Sequence, residues 1–140
     1  MQYIWQTLPH KKWYLILDDD TYVIRDSLKL LLDHLDPTQP CYLGNPVGDY
    51  KARFAHGGSS IILSHATLSL LFEHSPVVVD EAINESTTTI WGDKLLATTL
   101  MKVGVYLDES YSKLFNGEPP RMTRMSVSYT HLTLPTNREV

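Results

Sequence analysis

Residues 13–17, WYLIL, run straight into three consecutive aspartates, Asp18, Asp19 and Asp20. A short run of aromatic and branched residues bounded by a polar cluster reads as a buried strand. Three adjacent carboxylates at the end of such a strand repel one another, and a bound cation removes that cost. Hard divalent ions such as Mg²⁺ and Mn²⁺ favour carboxylate oxygens and can bridge to the phosphates of a nucleotide. In an extended segment, residues two apart point the same way, so Asp18 and Asp20 are expected to face one site and Asp19 another. An EF-hand calcium loop is excluded, because Tyr22 and Val23 stand where an oxygen ligand and the glycine are needed. The plain alternative is an acidic turn in which one aspartate caps a helix.

Beyond the triplet the pattern changes period. Leu28, Leu31, Leu32 and Leu35 fall at i, i+3, i+4 and i+7, one face of a helix with Asp26 as N-cap and Pro37 past its end. Residues 41–44 are expected as a second strand, closed by Asn45-Pro46. Residues 61–63 form another apolar run, after which Ser64 opens a helix carrying Leu68, Leu71 and Phe72. Residues 75–89, with Pro76 and the Thr87–Thr89 run, read as a loop. A third helix is expected over residues 93–103, with Leu96, Leu100 and Val103 inward and Gly104 as its C-terminal cap. Strands alternating with helices predict an α/β domain.

The chain has 140 residues and a formal net charge of −4, with its basic residues scattered. That balance argues against nucleic acid, which requires clustered Lys and Arg. Cys41 is the single cysteine, so neither an intrachain disulfide nor a Cys-based zinc site can form. No stretch approaches the ~18 apolar residues of a membrane span, and the start lacks the features of a signal peptide. From Arg121 onward no period is sustained, and residues 127–136, VSYTHLTLPT, resemble a translated sequencing adaptor. Residues 1–120 are therefore taken as one domain and 121–140 as a non-native, disordered tail.

Two further segments carry chemistry. In residues 54–60, FAHGGSS, the glycines permit close backbone approach to a ligand and free N–H groups to meet oxygens. A turn before a strand is the plainer reading. A hydrolase reading, in which His-Gly-Gly serves an oxyanion loop, fails because Gly58-Ser59-Ser60-Ile61-Ile62 lacks the last glycine of a nucleophile elbow. In Trp91-Gly92-Asp93, Asp93 could take a proton from an acceptor hydroxyl. On spacing alone a helix cap is favoured. Trp91 offers either a face for a sugar ring or a piece of core.

Taken together and in order, these segments resemble glycosyltransferase family 31, closest to its fungal members. The family includes the Fringe-like and core 1 β-1,3-galactosyltransferases. The residues that carry the resemblance are KKWYLILDDDTYV (11–23), LDPTQPCYLGNPV (35–47), FAHGGSSIILS (54–64), GDKLLATTLMKVGV (92–105) and NGEPP (116–120). The resemblance implies a partial GT-A (Rossmann-like) glycosyltransferase domain, Mn²⁺ dependence and a UDP-sugar donor. It also implies inverting transfer of a hexose, galactose favoured, to a glycan 3-hydroxyl in β-1,3 linkage. By motif position Asp18 and Asp20 correspond to the metal-binding pair, with Asp20 favoured as the direct ligand. Asp93 corresponds to the catalytic base, which reverses the cap-only reading. His56, Gly57 and Gly58 correspond to the loop lining the donor and acceptor site, and Asp19 and Trp91 join them in substrate binding. Partners would be a nucleotide-sugar donor and a glycan or glycoprotein acceptor. Family members are type II proteins of the Golgi lumen. Their anchor, an upstream nucleotide-binding βαβ unit and a metal-ligating histidine past Pro120 would fall outside residues 1–120. Asn84-Glu85-Ser86 is a glycosylation sequon in the expected 75–89 loop, which fits a lumenal setting. The alternative is a catalytically inactive fragment or degenerate relative that binds only glycan or metal.

Overall fold

The computed structural model describes residues 1–49, 52–116 and 130–132. The order is α1 (Gln2–Thr7), β1 (Trp13–Ile16), β2 (Thr21–Val23), α2 (Arg25–His34), β3 (Tyr42–Gly44), β4 (Pro46–Val47) and β5 (Phe54–Ala55). A 3₁₀ turn over Gly57–Ser59 leads to β6 (Ile61–Ser64), α3 (His65–Phe72), α4 (Pro76–Ser86) and α5 (Gly92–Lys102). A 3₁₀ segment, Glu109–Leu114, then precedes β7 (Phe115–Asn116) and β8 (Thr130–Leu132). No helix among the described residues is long and apolar enough to cross a membrane.

The main sheet has the order β1-β6-β3. Both neighbours run antiparallel to β6, with Ile16 and Gly44 each opposite Ile61, so β1 and β3 are parallel to each other. All four residues of β6 are buried, which is why its sequence is a continuous apolar run rather than an alternation. Side chains alternate faces along a strand. Ile61 and Leu63 enter a core with Tyr14, Tyr42, Leu68, Leu100 and Val105 under α1, α3, α4 and α5. Ile62 enters a second core with Leu31, Leu43, Leu114 and Phe115 under α2. Burying each of these β6 side chains contributes roughly 1.5–3 kcal/mol. The sheet therefore lies between two helical layers, as the expected α/β class requires.

Several helix boundaries follow the sequence. Ser64 caps α3, its hydroxyl oxygen accepting from the Thr67 N–H at 3.2 Å. Gly104 closes α5 at φ +80°, a left-handed conformation open to glycine without a Cβ penalty. There Gly104 N–H donates to Met101 C=O and Val105 N–H to Leu100 C=O, both at 3.0 Å.

Other expectations are corrected. Residues 75–89 are not a loop, because 76–86 form α4. Pro76 stands in the first turn, where a missing N–H costs nothing, so it starts the helix rather than breaking it. Val79 then buries against the core, with Val78 packed beside it. Asp26 does not cap α2; Ile24 holds that position, and Asp26 lies in the first turn, where the helix dipole favours its charge. Asn45-Pro46 does not end strand pairing, since β4 pairs antiparallel with β5. Of the expected tail, only Thr130–Leu132 is described. It forms β8, parallel to β2 and antiparallel to β7, where no strand was expected; 121–129 and 133–140 lie outside the described residues.

Two predictions follow from β3. A Cβ on Gly44 would stand 2.4 Å from the Ala55 Cβ and 3.1 Å from the Ser60 carbonyl oxygen, and both neighbours are buried. Gly44→Ala is expected to cost about 1–3 kcal/mol by overpacking, read as a lowered urea midpoint; an unchanged midpoint would show that β3 and β5 can part freely. Tyr42 is 1% exposed. Burial pushes its phenol up from 10.0 to about 12; the Ala55 N–H opposes the rise and the Asp93 charge adds to it. The folded value lies above the unfolded one, so the stability of the neutral phenol is complete below pH 10.0 and is lost as pH rises through about 12. Unfolding midpoints across that window should fall more steeply for the wild type than for Tyr42→Phe.

Candidate active site

The chain turns immediately after β1. Thr21 N–H donates to the Asp18 carbonyl at 3.2 Å, closing a turn over Asp19 and Asp20. The triplet is thus a turn and not an extended run, so the two-residue alternation expected to align Asp18 with Asp20 does not apply. The Thr21 hydroxyl accepts from Asp18 N–H and donates to the Gly58 carbonyl, each at 3.1 Å. One side chain therefore ties the acidic turn to the glycine loop. All three aspartates are exposed.

The glycine loop is fixed from three directions. Ala55 N–H donates to the Tyr42 hydroxyl at 2.8 Å, and His56 N–H donates to the Asn45 carbonyl at 2.9 Å. Gly57 N–H donates to Asp93 Oδ2 at 3.2 Å. Within the loop, His56 Nδ1 lies 3.1 Å from Ser59 Oγ, which in turn accepts from Asn45 Nδ2 at 3.4 Å. Ser60 holds φ +75°, ψ +144°, a conformation that costs a non-glycine residue free energy and concentrates at functional sites. Its buried hydroxyl has no hydrogen-bond partner among the described residues.

Gly58 lets two side chains pack close to its backbone. A Cβ there would meet His56 Cε1 at 3.0 Å and Asp18 Oδ2 at 3.4 Å. The imidazole and the first carboxylate thus flank one face of Gly58. A Cβ on Gly57 would lie 3.8 Å from Asp93 Oδ2. Asp18, His56, Gly57, Gly58 and Asp93 are brought together from β1, the loop and α5. Asp19 and Asp20 lie in the turn that Thr21 closes, and both are exposed.

Asp93 is not the N-cap of α5; Trp91 is, without a side-chain bond. Asp93 lies in the first helical turn, Oδ1 accepting from Lys94 N–H at 2.8 Å and Oδ2 from Gly57. The helix dipole and two N–H donors hold the carboxylate in place. Trp91 is 65% exposed, which removes its reading as core. It borders a groove of about 350 Å³ with Thr88, Thr89, Ile90 and Lys94. Cys41 offers no nucleophile, because burial, and secondarily the Asp108 charge, pushes its thiol up to about 11. Among the described residues no three His, Cys, Asp or Glu side chains gather closely enough to hold an ion by themselves.

The positioning residues Thr21, Tyr42, Asn45 and Ser59 escape sequence reasoning. Their side-chain bonds span 3 to 37 residues, and only the Asn45-Pro46 break gave any local signal, as a turn.

Comparison with known proteins places this geometry in a family. Two curated relatives are similar over part of the chain. A glycoprotein-N-acetylgalactosamine 3-beta-galactosyltransferase 1 of Xenopus laevis is 37% identical over 62 residues, covering 44% of this chain and 17% of the relative. A human chondroitin sulfate glucuronyltransferase is 39% identical over 67 residues, covering 44% of this chain and 8% of the relative. The chain thus spans less than a fifth of the length of these relatives. The Fringe-like family model matches residues 1–110, which contain the acidic turn, the glycine loop and Asp93, and the chain belongs to the Fringe-like family.

Proposed function

We propose that this chain carries part of the active site of a metal-dependent, inverting hexosyltransferase. The reaction moves a sugar, galactose in the favoured reading, from a UDP-sugar to a glycan 3-hydroxyl in β-1,3 linkage. The observation that carries the proposal is the convergence of Asp18 and Asp93 on the adjacent glycines 58 and 57. An ion-binding carboxylate and a proton acceptor then stand on either side of a backbone that a ligand can approach closely. The names of the relatives support the reaction class.

The residues fit a divalent cation. Asp18, Asp19 and Asp20 are exposed hard-oxygen donors, and none is in an ion pair among the described residues. Mg²⁺-type sites draw one or two carboxylates from the protein and the remaining oxygens from phosphate and water, so the lack of a three-ligand protein cluster is compatible with such an ion. Asp18 and Asp20 would hold it, Asp20 as the anchor. When bound, the ion supplies positive charge against the departing diphosphate.

Asp93 takes the proton of the acceptor hydroxyl. The hydroxyl oxygen bonds to the anomeric carbon as that carbon's bond to phosphate breaks, the electron pair leaves with UDP, and the configuration inverts. Each Asp93 oxygen already accepts one N–H and keeps a further lone pair for the proton. Gly57 orients this carboxylate through its N–H, and His56, Gly57 and Gly58 line the space for donor and acceptor. Trp91 offers a face to a sugar ring, and Asp19 contacts substrate from the outer turn. The family reading sets the reaction in the Golgi lumen, with the exposed Asn84 sequon on α4.

Two outcomes are expected in the full-length protein. Asp20→Asn should remove most Mn²⁺-dependent transfer while leaving the unfolding midpoint unchanged; an unaltered Mn²⁺ titration would sink the anchor assignment. Asp93→Asn can still accept the Gly57 N–H but supplies no base at neutral pH, so transfer should fall about 10²–10⁴-fold. Asp93→Ala should abolish transfer and also loosen the loop. Full activity in the Asn variant would reduce Asp93 to a positioning group.

A further inference from the structure

We propose that Asn45 and Ser59 lock His56 in the neutral tautomer that carries its proton on Nε2. The ring then offers an N–H donor to a ligand oxygen on its edge away from Ser59. The Asn45 Nδ2 group can only donate, so Ser59 Oγ is its acceptor, at 3.4 Å. Ser59 is fully buried, and among the described residues its hydroxyl has one further neighbour, His56 Nδ1 at 3.1 Å. A serine hydroxyl has a single proton, and leaving it unplaced in the interior costs free energy. Its one available acceptor is His56 Nδ1, which must therefore carry no proton. In a neutral imidazole the other nitrogen then bears it.

The placement gives this tautomer a use. Among the described residues the ring's hydrogen bond is made by Nδ1, and its Cε1–Nδ1 edge packs against Gly58 beside Asp18 Oδ2, which leaves Nε2 for a ligand. A carboxylate can accept from a ligand hydroxyl or bind an ion, but it cannot donate. The locked imidazole supplies a complementary donor, suited to a phosphoryl or hydroxyl oxygen of a sugar nucleotide. Ser59 and Asn45 are positioning residues acting through His56. Only the identity of the ligand rests on the transferase reading.

The test is the ¹⁵N spectrum of the His56 ring in the ligand-free, ¹⁵N-labelled full chain, taken at alkaline pH where an ordinary imidazole is neutral. His56 should show an unprotonated Nδ1 and a protonated Nε2. Asn45→Asp reverses the chain of donors: its carboxylate accepts the Ser59 proton, Ser59 Oγ accepts from Nδ1–H, and the His56 pattern inverts. Ser59→Ala removes the lock and should give a mixture of the two tautomers. A wild-type ring protonated on Nδ1, or a pattern unmoved by both substitutions, would overturn the proposal. The readout needs no substrate, so its failure leaves the transferase reading standing, and loss of that reading leaves the tautomer intact.

Discussion

The burial of β6 on both faces is the constraint from which the rest of the molecule follows. Ile61, Ile62 and Leu63 reach 2%, 0% and 0% exposure, and their alternation commits one helical layer to each side of the sheet. A one-residue slip in register would carry Ile62 into the larger core and Leu63 into the smaller one. The register also fixes the ends of β1 and β3, because Ile16 and Gly44 share Ile61 as their partner. The acidic turn leaves from one and Asn45 from the other, so the site is assembled at a single end of the sheet.

At that end the backbone is held by side chains rather than by further strand pairing. Thr21 bridges the acidic turn to Gly58, Tyr42 accepts from Ala55, and Asp93 accepts from Gly57. Hydrogen bonds of this kind each contribute only about 0.5–1.5 kcal/mol net, but together they fix a loop containing two glycines and a strained Ser60. Asp93 thus has a structural duty alongside its proposed chemical one, which makes the Asn and Ala substitutions differ in meaning. Ser60 is the point where local preference is overridden: its φ of +75° and orphaned hydroxyl persist because the residues on either side are fixed by the sheet and the loop.

The proposed function rests on this cluster and not on the sheet, since a mixed helix-and-sheet domain can host many chemistries. Membership of the Fringe-like family and the arrangement of carboxylates around adjacent glycines point in one direction from independent starting points. The matched segments of the relatives are short beside their full lengths.

The sequence by itself determined the elements whose signals are local. The runs at residues 13–17 and 61–63 gave strands, the leucine spacing gave α2, and Ser64 and Gly104 gave helix ends, because period and capping are short-range properties. It also determined which residue types could carry chemistry, through three carboxylates, paired glycines and an aspartate after Trp91-Gly92. Tertiary structure decided what those residues do to one another. Pro76 and the valines after it read as loop until a core was available for Val79 to enter. The aspartates read as extended until Thr21 closed them into a turn, and nothing local to Asp93 announced the Gly57 N–H that reaches it from 36 residues away. The Asn45, Ser59 and His56 chain had no signature at all, because its members come from two segments that only the pairing of β4 with β5 brings side by side. Such contacts depend on where distant segments pack, and no local periodicity in the chain encodes that.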